Sequence, residues 1–139
     1  MKKFVILIIV IAISVFTSCS TTKAMPVEIL TTTTWQLAEI NGNGINVDSY
    51  KRGIPSITFT TDNKVTGNSG CNNFSGSYNL NDVGGMTISR VIATKMFCDG
   101  VNESEFFNAL DKVTMSKTTK DKLTLMNGVE EVIVFVPKQ

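Results

Sequence analysis

Short segments in which apolar and polar residues alternate, each bounded by Asn, Asp or Gly, run through the chain from residue 34 onward and constrain its fold more than any other feature. A period of two places alternate side chains on opposite faces of a strand. Thr34-Trp35-Gln36-Leu37-Ala38-Glu39-Ile40 reads this way, with Trp35, Leu37 and Glu39 on one face, before Asn41-Gly42-Asn43-Gly44 turns the chain. Ile57 and Phe59 alternate with Thr58 and Thr60, and Thr61-Asp62-Asn63-Lys64 reads as a hairpin turn into Val65-Thr66-Gly67. Further strands are expected at 75–80, 86–92, 113–117, 122–126 and 131–136, with Asn127-Gly128 as the turn before the last. Val132-Ile133-Val134-Phe135-Val136 is apolar at every position, as in a strand covered on both faces. One segment reads as a helix: Asn102-Glu103-Ser104-Glu105 is a capping pattern, followed by Phe106, Phe107, Leu110 and Val113 at helical spacing. Its apolar stripe has to pack on the sheet. The fold class is therefore mainly β (α+β), a curved, partly barrel-like antiparallel sheet with one α-helix packed across it.

The N-terminus is of another kind. Lys2 and Lys3 precede an apolar stretch from Phe4 to Phe16, which reads as a secretory signal peptide over residues 1–18. As a helix, those residues span roughly 20 Å, short of the roughly 30 Å of a bilayer core. Val15-Phe16-Thr17-Ser18-Cys19 resembles a bacterial lipobox, with Phe16 where Leu is usual, which implies that Cys19 becomes the lipidated first residue of the mature chain. Several acyl chains on one cysteine make a lasting anchor where a single chain does not. The membrane is thus an expected partner, through the lipid at Cys19. Residues 19–32 have no apolar periodicity and read as a flexible tether, which leaves 33–139 as one domain. Ser20 in place of Asp favours the outer membrane by analogy with lipoprotein sorting, and no acidic cluster resembling a surface-export signal follows, which favours the periplasmic face.

Charge and composition close off several classes of function. Thirteen Lys+Arg stand against twelve Asp+Glu in 139 residues, and loss of residues 1–18 leaves 11 basic and 12 acidic residues, a net charge of −1. A nucleic-acid partner is not expected from such a balance. Histidine is absent, so mechanisms that use imidazole as base, acid or metal ligand are excluded. Much of the positive mean hydropathy, +0.13, belongs to the signal peptide.

Two stretches depart from ordinary strand text: Gly67-Asn68-Ser69-Gly70-Cys71-Asn72-Asn73-Phe74-Ser75-Gly76-Ser77-Tyr78 and Ala93-Thr94-Lys95-Met96-Phe97-Cys98. So many glycines imply a bulge or a corner with left-handed backbone. Gly-x-x-Gly as a phosphate cradle is the weaker reading, because the Lys-Ser/Thr pair and the following helix are both missing. With Cys19 assigned to lipid, Cys71 and Cys98 are expected to pair in an oxidising compartment, closing a loop of about 28 residues worth roughly 3.5 kcal/mol. Free thiols, or a metal site drawing on Asp99, are the alternatives. A redox role lacks both a His partner and the Cys-x-x-Cys spacing.

These stretches carry a family resemblance. Gly70, Cys71, Asn72, Phe74, Gly76 and Tyr78 match the Gly-Cys-Asn-x-Phe-x-Gly-x-Tyr signature of META (HslJ-like) domains, and Thr94, Met96 and Cys98 resemble the family's Thr-x-Met-x-Cys segment. The resemblance covers about Thr33 to Phe135. Phe97 stands where the family often has Ala, and the usual Pro after the second Cys is missing. The resemblance implies a curved antiparallel sheet with a helix packed on it. It also implies a place in envelope stress, drug tolerance, secretion or virulence, and no agreed reaction.

The function expected is therefore that of a non-enzymatic, outer-membrane-anchored lipoprotein that acts in envelope stress or binds an unidentified envelope protein. Two alternatives are an apolar (lipid) ligand held in a partly open barrel, and inhibition of a periplasmic hydrolase. For the first, the plainer reading is that Trp35, Phe59, Phe106, Phe107 and Phe135 fill the core. An enzyme without His would turn to paired carboxylates. Glu103 and Glu105 are two apart on a helix, Glu130 and Glu131 point to opposite faces of a strand, and Asp99 and Asp111 read as solvated charges. No catalytic residue, cofactor or metal is expected.

Overall fold

The computed structural model describes residues 26–139, so the signal peptide, Cys19 and the first part of the tether lie outside the described residues. The elements are α1 (Pro26–Thr32), β1 (Thr34–Ile40), β2 (Asn43–Gly44), β3 (Ser56–Phe59), β4 (Lys64–Asn68), β5 (Asn73–Leu80), β6 (Met86–Ala93), α2 (Glu103–Asp111), β7 (Met115–Thr118), β8 (Leu123–Asn127) and β9 (Glu130–Pro137). All nine strands join one antiparallel sheet in the order β6-β5-β4-β3-β1-β9-β8-β7, with β2 pairing β1. The sheet curls until its two edges meet at a bridge between Gly85 and Met115, supported by Met86 N–H to Thr114 O (3.0 Å) and Ser116 N–H to Gly84 O (2.8 Å). Beyond that bridge the sheet stays open, and α2 lies against β6 and β9.

The inward face is apolar throughout. Trp35, Ile57, Phe59, Val65, Leu123, Leu125, Ile133 and Phe135 are fully buried. Phe106, Ala109 and Leu110 bring the buried stripe of α2 onto them, and the Phe106 and Phe135 rings meet edge to face at 6.5 Å. The α2 start is as expected, with the Asn102 side chain accepting from Glu105 N–H at 3.3 Å.

Three expectations need correction. The sheet carries two helices, because Pro26–Thr32 of the expected tether is α1. Leu30 is buried, α1 packs on β3 and β7, and Trp35 Nε1–H donates to Leu30 O at 3.1 Å. Tertiary packing thus orders a segment too short to be helical alone. Glu39 does not share the face of Trp35 and Leu37: the β1–β9 register slips between Leu37 and Glu39, so Ala38 is an extra residue, Glu39 turns outward and Ile40 packs against the core. The last hairpin turns on Gly128 and Val129, one residue later than Asn127-Gly128, with Asn127 paired to Glu130.

Candidate functional site

The chain corner between β4 and β5, Ser69 to Asn72, is where the first motif and the second meet. Asn72 is only 3% exposed, and both atoms of its side-chain amide are fully engaged. Its Oδ1 accepts from Thr94 Oγ1–H and Met96 N–H, both at 2.7 Å, and its Nδ2 donates to Met96 O (2.9 Å) and Glu103 Oε2 (2.7 Å). The Asn72 backbone N–H reaches Glu103 Oε1 at 3.0 Å, and the Ser69 hydroxyl donates to the same carboxylate. One amide therefore ties together the corner, the loop after β6 and the first residue of α2. A carboxylate at a helix N-terminus also faces the favourable end of the helix dipole.

The remaining signature residues serve the same corner or its strands. Gly70 has φ +95°, and a Cβ there would come within 2.5 Å of the Tyr50 ring, so both backbone and space select glycine. Cys71 and Cys98 form a disulfide with Cα atoms 5.7 Å apart. Phe74 packs on the α2 rings Phe106 (5.7 Å) and Phe107 (5.6 Å). Gly76 lies opposite a bulge in β6 that contains Arg90, at φ +55°, and a Cβ on Gly76 would approach Ser89 O to 2.9 Å. The Tyr78 hydroxyl donates to Thr60 O at 2.8 Å, and its ring meets Phe59 edge to face at 5.0 Å. Burial, and then the charge of Asp62, raises the Tyr78 pKa. Met96 contributes both its peptide groups to Asn72, while its side chain stays 45% exposed and its sulfur accepts from Arg52 Nη1–H at 3.4 Å.

The phosphate-cradle reading meets a direct obstacle. Ser69 N–H donates to Asn72 O, Gly70 N–H to Asn68 Oδ1 and Asn72 N–H to Glu103, so the amides of the glycine-rich corner point at the protein's own acceptors. The carboxylates do not converge either. Glu103 turns into the Asn72 corner, and Glu105 accepts from Asn41 Nδ2 at 3.2 Å. Glu131 reaches Lys122 at 3.9 Å. Among the described residues no three His, Cys, Asp or Glu side chains group as metal ligands.

The surface beside this corner carries what remains chemically unused. Phe97 is 91% exposed, held between the hydrogen-bonded Met96 and the disulfide-bonded Cys98. A cleft of about 220 Å³ opens next to it, bounded by Ser49, Lys51, Arg52, Gly70, Phe97, Cys98, Asp99 and Val101. Tyr50, behind this cleft on Gly70, has its pKa raised by burial and by the charge of Glu105. A second groove, about 370 Å³, lies between β6 and α2, lined by Ile88, Arg90, Phe107, Asn108 and Asp111 among others. Sequence reading missed Glu103 as the partner of Asn72 and missed Tyr50, Lys51 and Arg52 entirely. Glu103 lies 31 residues from Asn72, and no local pattern links them.

Comparison with known proteins agrees with this architecture. The META domain family matches residues 28–139. No curated protein sequence matches the chain. Among solved structures, a protein from Burkholderia xenovorans determined by NMR superposes with a TM-score of 0.62 at 24% identity, covering 83% of this chain and 89% of that one. A second NMR structure gives 0.63 at 24% identity, covering 82% of this chain and 95% of that one. A DUF4847 family protein from Bacteroides vulgatus gives 0.59 at 19% identity, covering 78% and 94%. At these identities the likeness is one of fold.

Proposed function

The chain belongs to the META domain family, and from that premise we propose that it is a lipid-anchored protein of the cell envelope whose domain binds a partner and catalyses no reaction. Cys19 carries the lipid, the outer membrane holds it, and the domain faces the periplasm, where it supports the envelope under stress. The observation that carries the binding reading is Asn72. The most specific residues of the sequence direct their polar atoms at one another, while the side chains left uncovered beside them include the large apolar Phe97 and Met96 along with the charged Lys51, Arg52 and Lys95. Catalysis needs polar groups aimed at a substrate, whereas recognition is served by exposed aromatics on a rigid base. The barrel interior gives the apolar-ligand alternative little support, since Trp35, Phe59 and Phe135 are fully buried against their neighbours.

Metabolic labelling with palmitate tests the address. Label on the wild type that is lost in Cys19→Ala, with the protein moving from the outer-membrane to the soluble fraction, is the expected result; an unlabelled, soluble wild type removes the anchor. Crosslinking in intact cells through a photoreactive residue at position 97 tests the task. One reproducible adduct that disappears when the photoreactive residue is moved to exposed Val129 is expected, and identical adducts from both positions speak against a specific partner.

A further inference from the structure

The two ends of the sheet differ in a way that sets what the exposed Phe97 can meet. Pro26 and Val27 border a depression with Leu80 and Asn81, at the C-terminal end of β5. Cys98 is bonded to Cys71, two residues before β5 begins at Asn73. The point where the chain enters the domain and the Phe97 loop are therefore at opposite ends of an eight-residue strand, about 23 Å apart. Six residues lie between Cys19 and Pro26, and the seven Cα–Cα steps across them reach at most about 24 Å. For a chain anchored at Cys19, bringing Phe97 to its own bilayer would need that segment stretched to its limit alongside an inverted domain. In a chain so anchored, the loop would lie at the end of the domain opposite the entry of its tether.

Charge narrows the partner. In the cleft lining Lys51 and Arg52 stand against Asp99, Lys95 sits in the adjoining loop, and Glu105 lies behind the cleft near Tyr50. The ion pairs among the described residues are Lys64 with Asp62 and Lys122 with Glu131, so none of these three cations has a carboxylate of its own. Phe97 and Val101 supply an apolar wall, and the disulfide holds it in place. We infer that this cleft docks an acidic segment of another envelope protein, with an apolar side chain against Phe97 and carboxylates on Lys51 and Arg52. The inference rests on the partner-binding reading above and names the chemistry of that partner.

The test uses the full mature chain purified in detergent and a fluorescent peptide in which Asp and Glu alternate with Phe and Leu. Its counterpart has Asn and Gln at the acidic positions, and both are measured by fluorescence anisotropy. The acidic peptide is expected to bind at least about ten-fold more tightly than the amide one. The pair Lys51→Glu with Arg52→Glu, and separately Phe97→Ser, should each weaken it about ten-fold with unfolding temperature unchanged. Equal affinity for the two peptides, no binding, or indifference to both variants overturns the assignment. Binding to phosphatidylglycerol vesicles in place of the peptide overturns it as well, in favour of a lipid surface. Intact mass of the same preparation reads the acyl group on Cys19 independently, so a wrong address and a wrong docking surface give different results.

Discussion

The Asn72 corner and the interior of the sheet are both buried, yet they are held by opposite kinds of force. Inside the sheet, Ile57, Phe59, Val65, Ile133 and Phe135 make non-directional apolar contacts, and many residues of similar size would serve. At the corner, one amide fixes three chain segments through directional bonds, and its two ends are not interchangeable. An apolar core tolerates change where volume is conserved, whereas a saturated polar network fails when a single donor becomes an acceptor. The residues with the most specific sequence pattern are therefore those that pin backbone.

Near-isosteric substitutions draw that difference out most sharply. Asn72→Asp keeps shape but replaces Nδ2, 2.7 Å from Glu103 Oε2, with oxygen. A loss of about 4 kcal/mol at pH 7 is expected, from two facing carboxylates and an unpaired Met96 carbonyl. Like charges raise the pKa of one member of such a pair, so the loss is full above that pKa and shrinks as pH falls through it and a shared proton forms. Urea melts at pH 7 and about pH 5 check this, and an equal loss at both would show that the network is not electrostatic. Ile57→Val, a comparable change in the sheet, should cost about 1 kcal/mol with no pH dependence.

The disulfide is the corner's second pin. Replacing Cys71 and Cys98 together by Ser should cost roughly 3.5 kcal/mol from the freed loop. The hydrogen bonds of Asn72 to Thr94 and Met96 do not use either sulfur, so amide exchange at Met96 should stay slow relative to that at Phe97. Equal loosening of the two would mean that the covalent and polar pins are one unit.

Much of the sheet was legible from periodicity. β1 falls on Thr34–Ile40 as read, and α2 begins after its Asn102 cap, because both signals are local. Misreadings occurred where tertiary structure overrides the local text. The bulge at Ala38 answers the curl of the sheet against β9, and α1 becomes a helix only through Leu30 and the Trp35 indole. At the corner, the motif residues announced themselves, and a left-handed turn in the glycine-rich stretch was legible from composition, though not its place at Gly70. The convergence of Ser69, Asn72, Thr94 and Glu103 was not, since it depends on bringing together segments from three parts of the chain.

Tyr78 lies between the two regions, a signature residue whose ring belongs to the apolar interior. Tyr78→Phe removes the hydroxyl bond to Thr60 O and should cost about 1 kcal/mol at neutral pH. The folded state raises its pKa, so the unfolded chain ionises first: stability is complete below about pH 10 and declines as pH rises toward the folded pKa. The Phe variant should lose that part of the alkaline decline, read from guanidinium midpoints between about pH 8 and 11. An unchanged decline would assign it to the other groups whose pKa values are raised, Tyr50 and Lys64.

The smallest effect on stability is expected where the comparison bears most directly on function. Phe97 is 91% exposed and makes no use of its ring in the fold, so Phe97→Ser should alter stability by no more than about 0.5 kcal/mol. Its neighbours Met96 and Cys98 are both tied to the corner, and that holds a large apolar side chain in water at a fixed position. A ring in that situation gives the folded monomer nothing, and its burial by a partner would recover roughly 2 kcal/mol. Thermal unfolding of the variant, compared with its capture of the partner through a photoreactive residue at exposed Lys95, separates the two roles. A variant as stable as the wild type that no longer captures the partner makes the corner a platform for recognition. A variant that melts several degrees lower would make Phe97 one more residue of the interior and erase the distinction between the regions.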